Sequence, residues 1–171
     1  VLFVIFVLGL LKGRNSRRAA QQAAKLAKQA ASSRIVEMQE DVLELPKNAV
    51  VDLSGKIPES EYVKLMKTFR DADTMISRTI ASYTDIDHSA GDPDRPGLST
   101  EEYEKMEQSY KALVDNLQRA KEMLDGVTKT AEEWKKKIQE IPNNLTTASK
   151  NAKDALGKVH AQRDRGFPVD K

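Results

Sequence analysis

At 171 residues the chain has room for one ordinary domain. Its composition, 32% charged and 5% aromatic with a mean hydropathy of −0.58, belongs to long amphipathic helices that bury narrow stripes, not to a thick globular core. The net charge of +2 hides a polarised chain: residues 1–36 hold seven basic groups and no acid, whereas residues 37–171 hold 21 basic and 26 acidic groups. The absence of cysteine excludes a disulfide framework, a zinc–thiolate site and a cysteine nucleophile.

The chain opens on an unbroken apolar run, Val1 to Leu11, followed by a basic cluster, Lys12, Arg14, Arg17 and Arg18. A transmembrane helix needs about 20 apolar residues. The run is shorter and starts at Val instead of Met, so it is expected to be the C-terminal part of a transmembrane helix that begins before Val1. A secretory signal peptide carries its basic residues ahead of the apolar run and a small-residue cleavage site after it; here the basic residues follow. Lys and Arg within about 15–20 residues of a span mark the cytoplasmic side. The expectation is a single-pass protein of the cell membrane with its C-terminal region cytoplasmic. Lys12, Arg14, Arg17 and Arg18 would then contact anionic lipid headgroups, at about 1 kcal/mol per residue near the surface. Nucleic acid is not an expected partner, because the acidic remainder would repel a phosphate backbone.

Residues 12–45 form a basic juxtamembrane segment that becomes rich in Ala and Gln. Apolar residues at Ala20, Ala24, Ala27, Ala31, Ile35, Met38, Val42 and Leu45 recur at steps of three and four, which predicts one face of a helix over about 14–45. Pro46 is expected to end it. The stretch 46–58, with Pro46, Gly55 and Pro58, reads as a linker. A second helix over 59–84 carries the stripe Tyr62, Met66, Phe69, Asp73, Ile76, Ile80 and Tyr83. A small rotation that brings Ala72 inward would spare Asp73 an unpaired burial. Residues 85–98, with two prolines and two glycines, read as a loop.

Ser99 and Glu102 then form a capping box that starts the third long helix. Its apolar positions alternate steps of three and four without a slip: Tyr103, Met106, Tyr110, Leu113, Leu117, Ala120, Leu124, Val127, Ala131, Trp134, Ile138 and Ile141. So sustained a repeat predicts a coiled-coil seam over 100–141. Gly126 marks a candidate bend or close crossing. Pro142 is expected to break or kink the helix. The same phase resumes beyond it at Leu145, Ala148, Ala152, Ala155 and Val159. The whole of 59–160 is expected to form a helical hairpin or coiled coil, with a tail at 161–171.

The fold class implied is all-α: an N-terminal membrane-anchor helix followed by an antiparallel coiled-coil hairpin or an elongated three- to four-helix bundle. In the hairpin form the loop is the tip of a stalk, the two alanine-rich segments pair near the membrane, and the C-terminus returns toward the bilayer. The bundle form folds back at 46–58.

Few residues carry chemistry. Asp85, Asp87 and Ser89 fit positions one, three and five of a calcium-binding EF-hand, but the required glycine is Ala90 and the bidentate glutamate is Pro96. A solvated turn or a weak cation site is left. His88 and His160 stand apart, with no His-x-x-x-His or Glu-x-x-His pairing. No phosphate loop and no Gly-rich nucleophile elbow occur. Trp134, between Ala131 and Ile138, is either an interface anchor or a core residue. No enzyme activity and no cofactor are expected. The expected function is a membrane-anchored helical scaffold or accessory subunit of an integral membrane protein complex. It would dock, or form a homo-oligomer, through its helices. The alternative is a signal-relay coiled coil coupled through the membrane to a domain before Val1, with Gly126 or Pro142 as its flexible point.

Overall fold

The computed structural model describes the backbone of residues 2–39, 42–89, 92–95 and 97–166. Side chains are described from Gly13 onward within those ranges, except Gln39 and Ser89. The side chains of the apolar run and of Lys12 therefore lie outside the described residues, as do Ala90, Pro96 and the tail beyond Gly166. Among the described residues the chain is all-helical: α1 spans Leu2–Gln39, α2 Glu44–Val51, α3 Glu59–Ser89 and α4 Thr100–Asp164.

The capping box sits at the start of α4 as the sequence predicts. Ser99 Oγ accepts from the Glu102 amide at 3.2 Å, and the Ser99 amide donates to Glu102 Oε2 at 2.6 Å. From there α4 runs 65 residues, about 98 Å at 1.5 Å per residue. Its seam is the spine of the molecule. Tyr103, Met106, Tyr110, Leu113, Leu117, Ala120, Leu124, Val127 and Ala131 are buried. Trp134 and Ile138 are half-buried, and Ile141 is exposed.

Three helices cover this seam in turn. The alanine face of α1, Ala20, Ala24, Ala27 and Ala31, packs against Tyr103, Met106, Tyr110 and Leu113. Further along, Ile35 and Met38 of α1 and Ala72 and Ile76 of α3 close on Leu117, Ala120 and Leu124. At the far end Val50 of α2, Leu53 beyond it and Leu65 of α3 pack on Val127 and Ala131. Residue numbers rise together along α1 and α4, so these two run parallel, while α3 runs antiparallel to both. Ala72 takes the inward position and Asp73 stays at the rim, the rotation expected from the cost of burying a carboxylate.

Several boundaries differ from the sequence reading, each for a local reason. Pro46 does not end a helix; it is buried in the first turn of α2, where a missing N–H costs nothing because that N–H would have no intrahelical acceptor. Leu45 is exposed, and Pro46, Val50 and Leu53 form the inward face of a segment read as linker. The turn after α2 closes with the Lys56 amide on the Leu53 carbonyl at 3.0 Å. Gly55 in that turn has φ +68, a left-handed conformation that a Cβ would strain.

Helix α3 continues to Ser89, past the predicted end near 84, because tertiary contacts hold its last turns. Ile86 packs on the first cluster, and Asp87 pairs with Lys28. The inter-helix loop is thus shorter than 85–98. Helix α4 passes through both Gly126 and Pro142 without ending. Finally, the alanine-rich ends do not pair with each other. The alanines of α1 lie against bulky residues of α4, small against large, which lets the helices close to normal packing distance. The α3–α4 loop consequently sits at the end from which the start of α1 projects, and the C-terminal part of α4 projects from the opposite end, away from that start.

Leu117, fully buried on the seam, should cost about 2–5 kcal/mol when cut to alanine. Val63→Ala, at a site 53% exposed on α3, should change stability by less than about 0.5 kcal/mol. Denaturant melts followed by circular dichroism check both, and equal effects would contradict the seam as the stabilising element.

Candidate membrane-proximal and docking surfaces

Helix α1 is unbroken from the apolar run into the bundle, so the basic collar lies on a helix. Arg14, Arg17 and Arg18 are exposed, and at 100° per residue they share one face within about 100° of arc. Among the described residues no helix is long and apolar enough to cross a membrane. The fold alone therefore gives the expected single-pass anchor no support.

One and two turns into the bundle, α1 meets the α3–α4 loop. Gln21 Nε2 donates to the Pro93 carbonyl at 2.9 Å. Lys25 pairs with Asp94; Lys28 pairs with Asp87 and approaches Asp92 at 3.8 Å. The loop is braced internally as well. Asp92 Oδ1 accepts from the Asp94 amide at 3.1 Å, the Arg95 amide donates to the Asp92 carbonyl at 2.8 Å, and Tyr103 Oη donates to the Arg95 carbonyl at 3.2 Å. Beneath it the Tyr83 and Tyr110 rings meet at 5.8 Å with a 54° tilt. The Tyr110 hydroxyl is buried with no hydrogen-bond partner among the described residues, and burial pushes its pKa up.

The sequence leaves these aspartates as a solvated turn or a weak cation site and does not show their partners. The structure neutralises them with lysines of α1, 59 or more residues upstream. A signal was present: Gln21, Lys25 and Lys28 each follow one residue after Ala20, Ala24 and Ala27, so they flank the buried stripe on one side. His88 does not join the cluster chemistry either, since its Nδ1 contacts the Thr84 carbonyl at 2.6 Å on its own helix. His160 is exposed on the projecting end of α4.

A second ionic group fixes the parallel register of α1 and α4. Arg34 bonds both Glu37 and Gln118, and Lys121 Nζ reaches Glu37 Oε1 at 2.9 Å. The two inter-helix pairs share one offset of 84 residues, as a straight parallel contact requires. Lys135 Nζ holds Asp52 Oδ2 at 3.1 Å at the far end. Trp134 is packed on the third cluster, with Lys137 Nζ 4.6 Å from its ring centroid.

The docking face expected along the whole seam is thus already used inside the chain as far as Ala131. What stays open is the end of α4 from Gln139 onward, where every described residue is exposed. No protein-family model, no curated protein and no solved structure matches the chain.

The ionic contacts set a pH window. Glu37, hydrogen-bonded by Lys121 and then Arg34, and Glu102, bonded by the Ser99 amide, are held below the usual 4.5. Their stabilisation is present above about pH 4.5 and is lost as pH falls through the lowered values. Lys25, bonded to Asp94, and Lys28, bonded to Asp87, are held above the usual 10.5, so their contribution persists below that and is lost at higher pH. Between those limits salt, not pH, is the variable that weakens them. Lys25→Gln with Lys28→Gln should accelerate amide hydrogen exchange through 92–99 while leaving the exchange of 113–127 unchanged. Unaltered exchange in the loop would mean that these pairs do not hold it.

Proposed function

We propose that the chain is a membrane-anchored helical scaffold or accessory subunit, with α1 as the cytoplasmic end of a single-pass anchor and the bundle as a cytoplasmic docking body. The observation that carries this reading is the continuity of α1 over Leu2–Gln39. One helix bears the apolar run, then the basic collar, then the alanine face buried under α4. Whatever holds Val1 to Leu11 holds the bundle directly, with no linker between. Arg14, Arg17 and Arg18 stand exposed on one face directly after the run, where anionic headgroups would reach them. The bundle beyond contributes a rod and an exposed helical end, which suit holding a partner.

The partner is an integral membrane complex or further copies of this chain. Cofactors have no part in the proposal. Relay of a signal is the second reading, and it draws on the same continuity: a helix locked to the α3–α4 loop by Lys25 and Lys28 would pass a rotation of the anchor into the bundle. It requires a sensing partner and is the less economical account.

Two measurements test the principal reading. Full-length protein in native membranes should stay in the pellet through high-salt and alkaline carbonate washes; release into the supernatant would remove the anchor. With Gly13→Cys, the only thiol in the chain, a membrane-impermeant maleimide should label opened vesicles and the cytoplasmic face alone. Labelling from the outside would reverse the topology.

A further inference from the structure

The exposed end of α4 carries an apolar stripe in the phase of the buried seam: Ile141, Leu145, Ala148, Ala152, Ala155 and Val159. Leu145 is 65% exposed. Among the described residues nothing covers this stripe, although the identical spacing is covered by α1, α2 and α3 up to Ala131. The segment is also a poor helix former by itself. Pro142 costs about 3 kcal/mol and Gly157 about 1 kcal/mol relative to alanine, and Asn143, Asn144, Thr146, Thr147 and Asn151 add smaller costs. A lone helix of that make-up is marginal in water, so packing must supply its stability.

We infer that the occupant is a second copy of this chain, paired antiparallel through the same segment of α4. The register follows from the spacing. Centring the pair on Lys150 sets Ile141 against Val159 of the second copy, Leu145 against Ala155 and Ala148 against Ala152, so every seam residue meets a seam residue. Only small residues meet at the centre, so the two backbones approach closely there. The positions beside the seam carry almost no charge: Pro142, Asn144, Ser149, Asn151 and Leu156, with Lys158 the exception. Lys150, Lys153 and Asp154 lie on the outer face, so like charges are not forced together. Thr146 and Thr147, on the outer face, turn their hydroxyls back to the carbonyls of Pro142 and Asn143, at 2.8 and 2.9 Å.

Direction is fixed by the bundle. Below Ile138 the seam side of α4 is filled by α1, α2 and α3, so two parallel copies would drive their bundles into the same space. In antiparallel copies the paired seam positions, 141–159, lie where each seam is bare, and the two bundles lie at opposite ends of the contact. The inference concerns the C-terminal half of α4 and stands whether or not α1 enters a membrane.

Cysteine cross-linking of the full chain in mild detergent tests it, since no native thiol interferes. A mixture of Leu145→Cys and Ala155→Cys should give a disulfide-linked dimer. Leu145→Cys alone should not, because antiparallel pairing separates its two copies by about 15 Å along the axis. In sedimentation equilibrium the unmodified chain should dimerise. Ala148→Glu with Ala152→Glu, which opposes like charges across the contact, should raise the dimer Kd at least tenfold while the thermal melt of the bundle is kept. A strong self-cross-link of Leu145→Cys, a monomer at every concentration up to near-millimolar, or a dimer unaffected by the two glutamates would each overturn the proposal.

Discussion

The seam of α4 is the constraint on which the remaining structure depends. Its steps of three and four keep one line of side chains on one side of a helix for nine buried positions. Each other element is placed by what that line offers at its own level. Where α4 presents Tyr103, Met106 and Tyr110, α1 answers with alanines; where α4 narrows to Ala120, the bulky Met38 and Ile76 move in; at Val127 and Ala131 the inserted residues are Val50, Leu53 and Leu65. Large faces small at each stage, so interior density is held without any element having a thick core of its own. A short helix such as α2 is possible only because α4 is already there to receive Pro46 and Val50.

Charge works at the margins of this packing and settles direction. A seam of small and large residues would accept α1 in either sense with tolerable contacts. The pairs that cross the contact, Arg34 with Gln118 and Glu37 with Lys121, fit only the parallel sense and one register. Lys25 and Lys28 do the same for the turn between α3 and α4, drawing Asp87 at the end of α3 and Asp92 and Asp94 of the loop to α1. Most of these groups are partly exposed, so each contributes little to stability. Their effect lies in excluding alternatives, which is a use of charge that a narrow-seamed bundle needs more than a globular core does.

Legibility in the sequence followed the same division. The α4 seam, the Ser99 and Glu102 cap and the alanine face of α1 are local patterns, and local patterns are what periodicity reads. The mistakes arose where a residue's role depends on something distant. Pro46 ends a helix in isolation but opens one when Val50 and Leu53 have a surface to bury against. Helix α3 outlasts its own apolar stripe because Lys28 and Leu98 reach its end. The alanine-rich segments look alike and invited pairing with each other, yet α1 buries more area against Tyr103 and Tyr110 than a second alanine face would offer it. The aspartates at 85–94 read as a solvated turn or a weak cation site, and Asp87, Asp92 and Asp94 instead face amines carried by α1. Lysine at the right offset was visible; that it would lie beside residue 87 was not.

Folding back at 46–58 and again after α3 sets α1 parallel to α4, an arrangement that the bundle form implies and the hairpin form does not. The apolar start of α1 and the bare end of α4 leave the molecule at opposite poles. Seam positions from Tyr103 to Ile138 separate them by about 52 Å of helix. Under the membrane reading, the body is a spacer that holds its exposed end well clear of the bilayer, beyond the reach of headgroup charge, which fades within about 8–10 Å. A partner met there is met in solution, by a seam whose spacing has been set by the same rule that built the bundle. Contact at that pole therefore selects for helices of matching phase, and the one such helix the chain itself supplies is another α4.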